Sequence, residues 1–299
     1  MRISAFLPIT NAETRGDTYI EAIQSHLYWA DEVVVVDGGS TDGSIERIES
    51  LKNPNIKIVT REWPQTNWSW TEFCKAWNFG LDFCQGDWVA AGESDHIFHQ
   101  NEAERLRSEV ERETKRGKAI MKVQKLQSGD LYNWSSKSQM YYFIYKKKFP
   151  DICYGFSPEI NTDLCHPIWR DGCYEDIPKG KAITEGTEFE TLIGGTGVTL
   201  YNYLWTFKTI EQVVTERLKA NTAWNRFSGF TEVYKKVKST QTIDIIDEVI
   251  GQVMAVRNKA NRRIEIQDQP ELMHKILTQN LKPHMIGHPF NPFNNIKIK

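Results

Sequence analysis

A doubly wound, mostly parallel α/β sheet with a helical C-terminal extension is the fold class this sequence predicts. Apolar runs alternate with segments of helical periodicity through the first hundred residues. The run "DEVVVVDGGSTDGS" places four valines before Asp37 and a glycine-rich turn, the strongest strand signal in the chain. A second acidic group, Glu93 and Asp95, follows the apolar run of "GDWVAAGESDHIFH". In such sheets ligands bind outside the carboxyl ends of the strands, the edge where both acidic groups fall.

The elements follow in order. "RISAFLPI" reads as the first strand, "TNAETRGD" as a polar loop, and residues 18–29 as a helix with Ile20, Ile23 and Leu27 on one face. After the valine strand, Ile45, Ile48 and Leu51 give a second helix, "NIKIVTRE" a third strand, residues 71–84 a third helix and "GDWVAAG" a fourth strand. "NEAERLRSEVERETKRG" is a charged amphipathic helix with Asn101 and Glu104 spaced as a capping box. "KAIMKVQKL" and "QMYYFIYKKK" are strands, followed by the glycine-rich "IGGTGVTLYNYLW". Thr209 and Gln212 form a second capping box ahead of helices over 210–224 and 243–258. The expected division is a core over 1–205 and a mainly helical region over 206–299, with an irregular Pro/Asn-rich tail.

Composition removes several function classes. The 299 residues suffice for a large core without staples, and 37 basic against 39 acidic residues disfavour a nucleic-acid partner. Five cysteines without a CxxC pair read as reduced thiols, and hence a cytoplasmic location. The apolar start of the chain is too short for a signal peptide, and no run reaches membrane-span length, which leaves room for peripheral membrane contact.

An aspartate closing a strand before glycines accepts hydrogen bonds from a ligand that approaches the backbone closely. The absence of GxGxxG excludes the usual dinucleotide fingerprint. Glu93 and Asp95 lie one residue apart, so in an extended segment they leave on one face and converge on one cation. Carboxylate oxygens suit Mg²⁺ or Mn²⁺. Standing alone, each group is explained by turn chemistry or helix capping.

The ordered set is more specific. "PITNAE", "WADEVVVVDGGSTDGS", "REWP", "AWNFGLDFCQGDWVAAGESD" and, more weakly, "YNYLW" together resemble family-2 glycosyltransferases of the GT-A fold, closest to the lipopolysaccharide-core glucosyltransferase-like branch. The resemblance implies a nucleoside-diphosphate sugar donor, UDP-linked, and a glycan or lipid-linked acceptor. It implies Mg²⁺ or Mn²⁺ at Asp95 and Glu93, with Glu93 in place of the usual first aspartate. It assigns donor contacts to Pro8, Asn11, Asp37, Gly39, Asn78 and Ser94, and matches Gly80 to the glycine of an AxNxG helix. Trp77 replaces a basic residue common in relatives, and Tyr201-Asn202-Tyr203 lacks their histidine. The general base is expected at Asp176, with Glu175 beside it and Glu185 and Glu188 as rivals. His96 and His99 read as structural, with His96 near enough in sequence to touch the donor sugar, and Trp68 and Trp70 as sugar-stacking candidates. Two rivals remain: a sugar-phosphate nucleotidyltransferase, whose basic phosphate loop "PITNAETRG" does not supply, and a non-catalytic carbohydrate or nucleotide binder on the same fold.

Overall fold

The computed structural model describes residues 1–64, 70–155, 166–174, 177–183, 188–213, 216, 251, 255, 258–282 and 285–287. In chain order, β1 (Ile3–Ile9) leads through α1 (Ala12–Arg15) and α2 (Tyr19–His26) to β2 (Glu32–Asp37). Then come α3 (Ser44–Glu49), β3 (Ile56–Thr60), α4 (Trp70–Phe83), β4 (Trp88–Ala91), β5 (His96–Phe98) and α5 (Gln100–Lys115). The middle of the chain supplies β6 (Ile120–Ser128), β7 (Asn133–Tyr145), β8 (Ile152–Gly155), β9 (His166–Tyr174), β10 (Ile177–Ala182) and β11 (Ile193–Asn202). Near the end lie β12 (Arg262–Arg263) and α6 (Glu271–Gln279).

The main sheet runs β3-β2-β1-β4-β7-β6-β11-β5, with β12 paired to β7. The first four strands are parallel. β7 enters antiparallel between β4 and β6, and β5 closes the far edge antiparallel to β11. The strand–helix alternation therefore marks the parallel half correctly. β8, β9 and β10 form a separate small antiparallel sheet.

Alternation along each strand divides the interior into two cores. Ile3, Ala5 and Leu7 of β1 pack with Tyr19 and Ile23 of α2 and with Leu106 and Val110 of α5. Phe6 of the same strand joins Val34 and Val36 of β2 and Trp77 and Leu81 of α4 on the opposite face. Helices thus cover both faces, the doubly wound arrangement expected. Every residue of β2 is buried, and each of its four valines contributes roughly 1.5–3 kcal/mol by burial.

Gly80 is where α4 meets the sheet. A Cβ there would lie 2.8 Å from Val36 Cγ2 and 2.9 Å from Phe6 Cδ2. Gly80→Val is expected to push α4 off the sheet and cost about 1–3 kcal/mol, read as a lower urea midpoint. An unchanged midpoint would show that the two layers can part freely.

Several elements differ from expectation. The polar loop after β1 contains the short helix α1. The cap of α5 is His99, whose Nδ1 accepts from Asn101 N at 3.2 Å, so Asn101 stands inside the helix rather than at its boundary. The second capping box forms as expected. Thr209 N donates to Gln212 Oε1 at 2.8 Å, and Gln212 N donates to Thr209 Oγ1 at 3.1 Å. Residues 210–213, 216, 251, 255 and 258 are helical, while the rest of the two expected C-terminal helices and the tail lie outside the described residues. Met273 and Leu277 of α6 sit in the same core as β1. Among the described residues no helix is long and apolar enough to cross a membrane.

Candidate active site

The site lies along the carboxyl edge of β2, β1 and β4, and its first wall is made by two loops that hold each other. Asp37 ends β2 in register with Ile9 and Thr60. Its Oδ1 accepts from Ser40 N at 2.9 Å, which tightens the turn after the strand. Gly39 takes φ +86°, a left-handed conformation open to glycine. Asn11 is also left-handed, at φ +46°, and links the loops in both directions. Its N–H donates to Ser40 Oγ at 2.9 Å, and its Oδ1 accepts from Thr41 N at 2.8 Å. Pro8 lies in β1 beside Val36. Gly38 lets the Trp63 ring of "REWP" pack against the turn, since a Cβ would meet that ring at 2.2 Å. Pro8, Asn11, Asp37 and Gly39 are therefore brought together, as is the third quoted segment.

The second wall is the acidic turn after β4. His96 N donates to the Glu93 carbonyl at 3.1 Å, so residues 93–96 turn rather than extend. The two carboxylates converge because the chain turns, not because strand alternation puts them on one face. Asp95 is buried, while the Glu93 side chain is 43% exposed. Asp95 Oδ1 accepts from Asn202 Nδ2 at 3.1 Å, placing the "YNY" segment beside the acid through an amide. His96 is fully buried, with Nε2 3.3 Å from Glu93 Oε2 and 3.1 Å from Lys125 Nζ.

Behind the turn lies a charge cluster that no sequence motif announced. Ser94 Oγ donates to Asp17 Oδ2 at 2.9 Å. Asp17 also meets Lys208 Nζ at 2.7 Å and Arg15 Nε at 3.1 Å, and Glu216 meets Lys208 at 2.7 Å and Arg15 at 3.4 Å. Lys208 and Asp17 are almost wholly enclosed, at 3% and 4% side-chain exposure. Burial pushes the Asp17 carboxyl up, but Arg15 and Lys208 overcome it and hold the group at about 2. Lys208 is raised by Asp17 and Glu216 against the opposing effect of its own burial.

Asp95 goes the other way. Burial first, and Glu93 second, push it up to about 7, although Lys125 and Lys208 pull it down. That is the signature of a carboxylate pair short of positive charge. Glu93, Asp95 and His96 each present one donor atom, all within 4.8 Å of one another. The two carboxylates fit a hard divalent cation. His96 fits less well, because a ligating histidine is normally oriented through its second nitrogen and His96 Nδ1 is buried without a partner among the described residues. Its ring is kept neutral, lowered well below its ordinary value by burial and by Lys125.

Other expected residues have contacts of their own. Asn78 Nδ2 donates to the Tyr154 carbonyl at 2.9 Å and its Oδ1 accepts from Tyr154 N at 2.7 Å, a two-way tie between α4 and β8. Trp77 packs edge-on to Phe6 and Tyr154 in the core. Glu188 pairs with Lys181 at 2.8 Å on the surface. Asp176, Glu175, Glu185 and Trp68, and the side chain of Trp70, lie outside the described residues. Sequence reasoning missed Asp17, Lys125, Lys208 and the contact made by Asn202. "RGD" at 15–17 falls in the expected polar loop, but its partner Lys208 is supplied from beyond β11.

The model of the family described as Glycosyl transferase family 2 matches residues 4–168. An "Uncharacterized glycosyltransferase" of Haemophilus influenzae is 30% identical over 108 residues, covering 34% of this chain and 40% of that protein. This chain thus spans less than half of that relative. S. aureus TarS 1-349 in complex with UDP aligns at a TM-score of 0.44 with 14% identity, covering 94% of this chain and 92% of that one. Glucosyl-3-phosphoglycerate synthase from Mycobacterium tuberculosis, in complex with Mn²⁺, UDP and glucosyl-3-phosphoglycerate, aligns at 0.42 with 17% identity, covering 76% and 80%.

Proposed function

The chain belongs to glycosyl transferase family 2, and we propose that it transfers a sugar from a UDP-linked donor to a hydroxyl of a glycan or lipid-linked acceptor, inverting the anomeric centre. The observation that carries this reading is the placement of the Glu93/Asp95 turn across β1 from the Asn11–Asp37 wall, both at the carboxyl edge of the parallel strands. One side offers hydrogen-bonding groups to a nucleoside, and the other offers carboxylates to the cation of a diphosphate.

In the proposed reaction the acceptor oxygen attacks the anomeric carbon and the carbon–oxygen bond to the diphosphate breaks, the diphosphate leaving with the electron pair. Asp176, with Glu175 beside it, takes the acceptor's proton. Asp37 and the loop held by Asn11 and Gly39 orient the nucleoside. Asp95 and Glu93 would hold Mg²⁺ or Mn²⁺, which supplies positive charge to the departing diphosphate. Ser94, drawn back to Asp17, fixes the turn that presents both acids. We assign the chemistry to residues 1–205, with Lys208 and Glu216 as the contribution of the 206–299 region. The ordered motifs favour an acceptor of the lipopolysaccharide-core type, used at a cytoplasmic membrane surface.

A thermal-shift panel of UDP, GDP and their sugar forms, with and without Mn²⁺, tests the reading. A UDP-sugar with Mn²⁺ at about a hundred times its Kd is expected to stabilise the protein by about 2.7 kcal/mol. No response to any nucleotide would sink the donor assignment. Binding without hydrolysis or transfer would favour a non-catalytic binder.

A further inference from the structure

Among the described residues Arg15, Lys208 and Lys125 lie near the acidic turn, and the first two are matched by carboxylates. Lys208 and Arg15 both lie against Asp17 and Glu216 at 2.7–3.4 Å. Lys125, which β6 brings alongside β11, is placed differently. Its ammonium donates to His96 Nε2 at 3.1 Å, a neutral acceptor. The same Nε2 lies 3.3 Å from Glu93 Oε2. One imidazole nitrogen does not accept from an ammonium and donate to a carboxylate at once. Accepting from Lys125 leaves the ring proton on Nδ1, which is buried with no partner among the described residues, an unfavourable position for a donor. Lys125 therefore ends on a neutral partner whose same nitrogen lies beside Glu93. Lys125 is also half-buried, and its side chain is a four-carbon stem with rotatable bonds.

We propose that Lys125 is a built-in counter-cation of the acidic turn. It partly offsets Asp95 and Glu93 until a divalent cation arrives, is repelled by that cation, and then turns its ammonium to the phosphate oxygens of the donor. This inference rests on the reading of Glu93 and Asp95 as a metal site. It separates Lys125 from a residue that merely supports the fold, because it requires opposite effects on the two ligands: Lys125 opposes the metal and favours the nucleotide.

Calorimetric titration of the full chain with Mn²⁺ alone, and then with UDP at saturating Mn²⁺, tests it. Lys125→Met is expected to bind Mn²⁺ about tenfold more tightly and UDP about tenfold more weakly than the unsubstituted protein. Lys125→Gln, which keeps a donor for His96 Nε2 without the charge, is expected to follow it even if the methionine variant folds poorly. Lys125→Arg should hold both affinities within about threefold by restoring the charge. Unchanged Mn²⁺ affinity, or weakening of both ligands together, overturns the inference alone. Absence of Mn²⁺ binding by the unsubstituted protein overturns the metal site and this inference with it.

Discussion

Asp95→Ala is expected to lower metal-dependent turnover of a UDP-sugar by at least about a hundredfold, and to weaken Mn²⁺ binding in the same preparation. The size follows from how Asp95 is held. It is 5% exposed, takes the Asn202 amide on Oδ1, and is the more enclosed of the two acids in the turn. Nothing in solvent can replace its charge at that depth. Glu93, with its side chain 43% exposed, should cost less when replaced by alanine, since water can take its place. Burial alone would give the same ordering, so the urea midpoints of both variants are measured beside turnover, and midpoints close to that of the unsubstituted protein exclude loss of folding. Turnover retained in Asp95→Ala would remove the acidic turn from the active site. Equal losses in both would show that the acids act as one unit rather than as a principal ligand and an accessory one.

Lys208→Met is expected to destabilise the fold by about 3–5 kcal/mol, measured by urea unfolding at neutral pH. The lysine is nearly fully enclosed with Asp17 and Glu216, so the variant leaves two carboxylates facing Arg15 alone. Acid titration gives an independent check. Asp17 falls from an ordinary 3.8 to about 2 in the folded protein, worth about 2 kcal/mol. Because the folded value is depressed, that stability is complete above about pH 4 and is lost as pH falls through about 2. The slope should shrink in Lys208→Met, where one of the two cations holding Asp17 is gone. A variant within about 1 kcal/mol of the unsubstituted protein would mean that the cluster relaxes or hydrates without cost.

Local signals account for the parallel half of the fold. The unbroken valines of β2, the Ile/Leu spacing of α2 and α3, and the Thr209/Gln212 box each carry their structure within a few residues, because hydrophobic periodicity and capping are short-range. Other elements depend on distant neighbours. β5 is three residues long and exists because β11 pairs with it, and α1 is a single turn inside a loop whose backbone donors Glu13 N and Thr14 N are received by Ser44 and Asp42. His99 displaced Asn101 as the cap of α5 because the imidazole acceptor reaches the backbone N–H two residues on.

The sequence by itself determined the α/β class, the strand end at Asp37, the acidic pair beyond β4, and the ordered segments of the first hundred residues, which fall within the match to glycosyl transferase family 2. Those are properties of contiguous runs. Only the tertiary structure decided that Asp95 is buried against Asn202, that Ser94 is drawn to an Asp17–Lys208 pair, and that Lys125 stands over His96. The physical reason is separation along the chain. Asp17, Asp95, Lys125 and the stretch from Asn202 to Lys208 are four segments far apart in the chain. Their charges acquire meaning only when the sheet brings them within a few ångströms and removes the water between them.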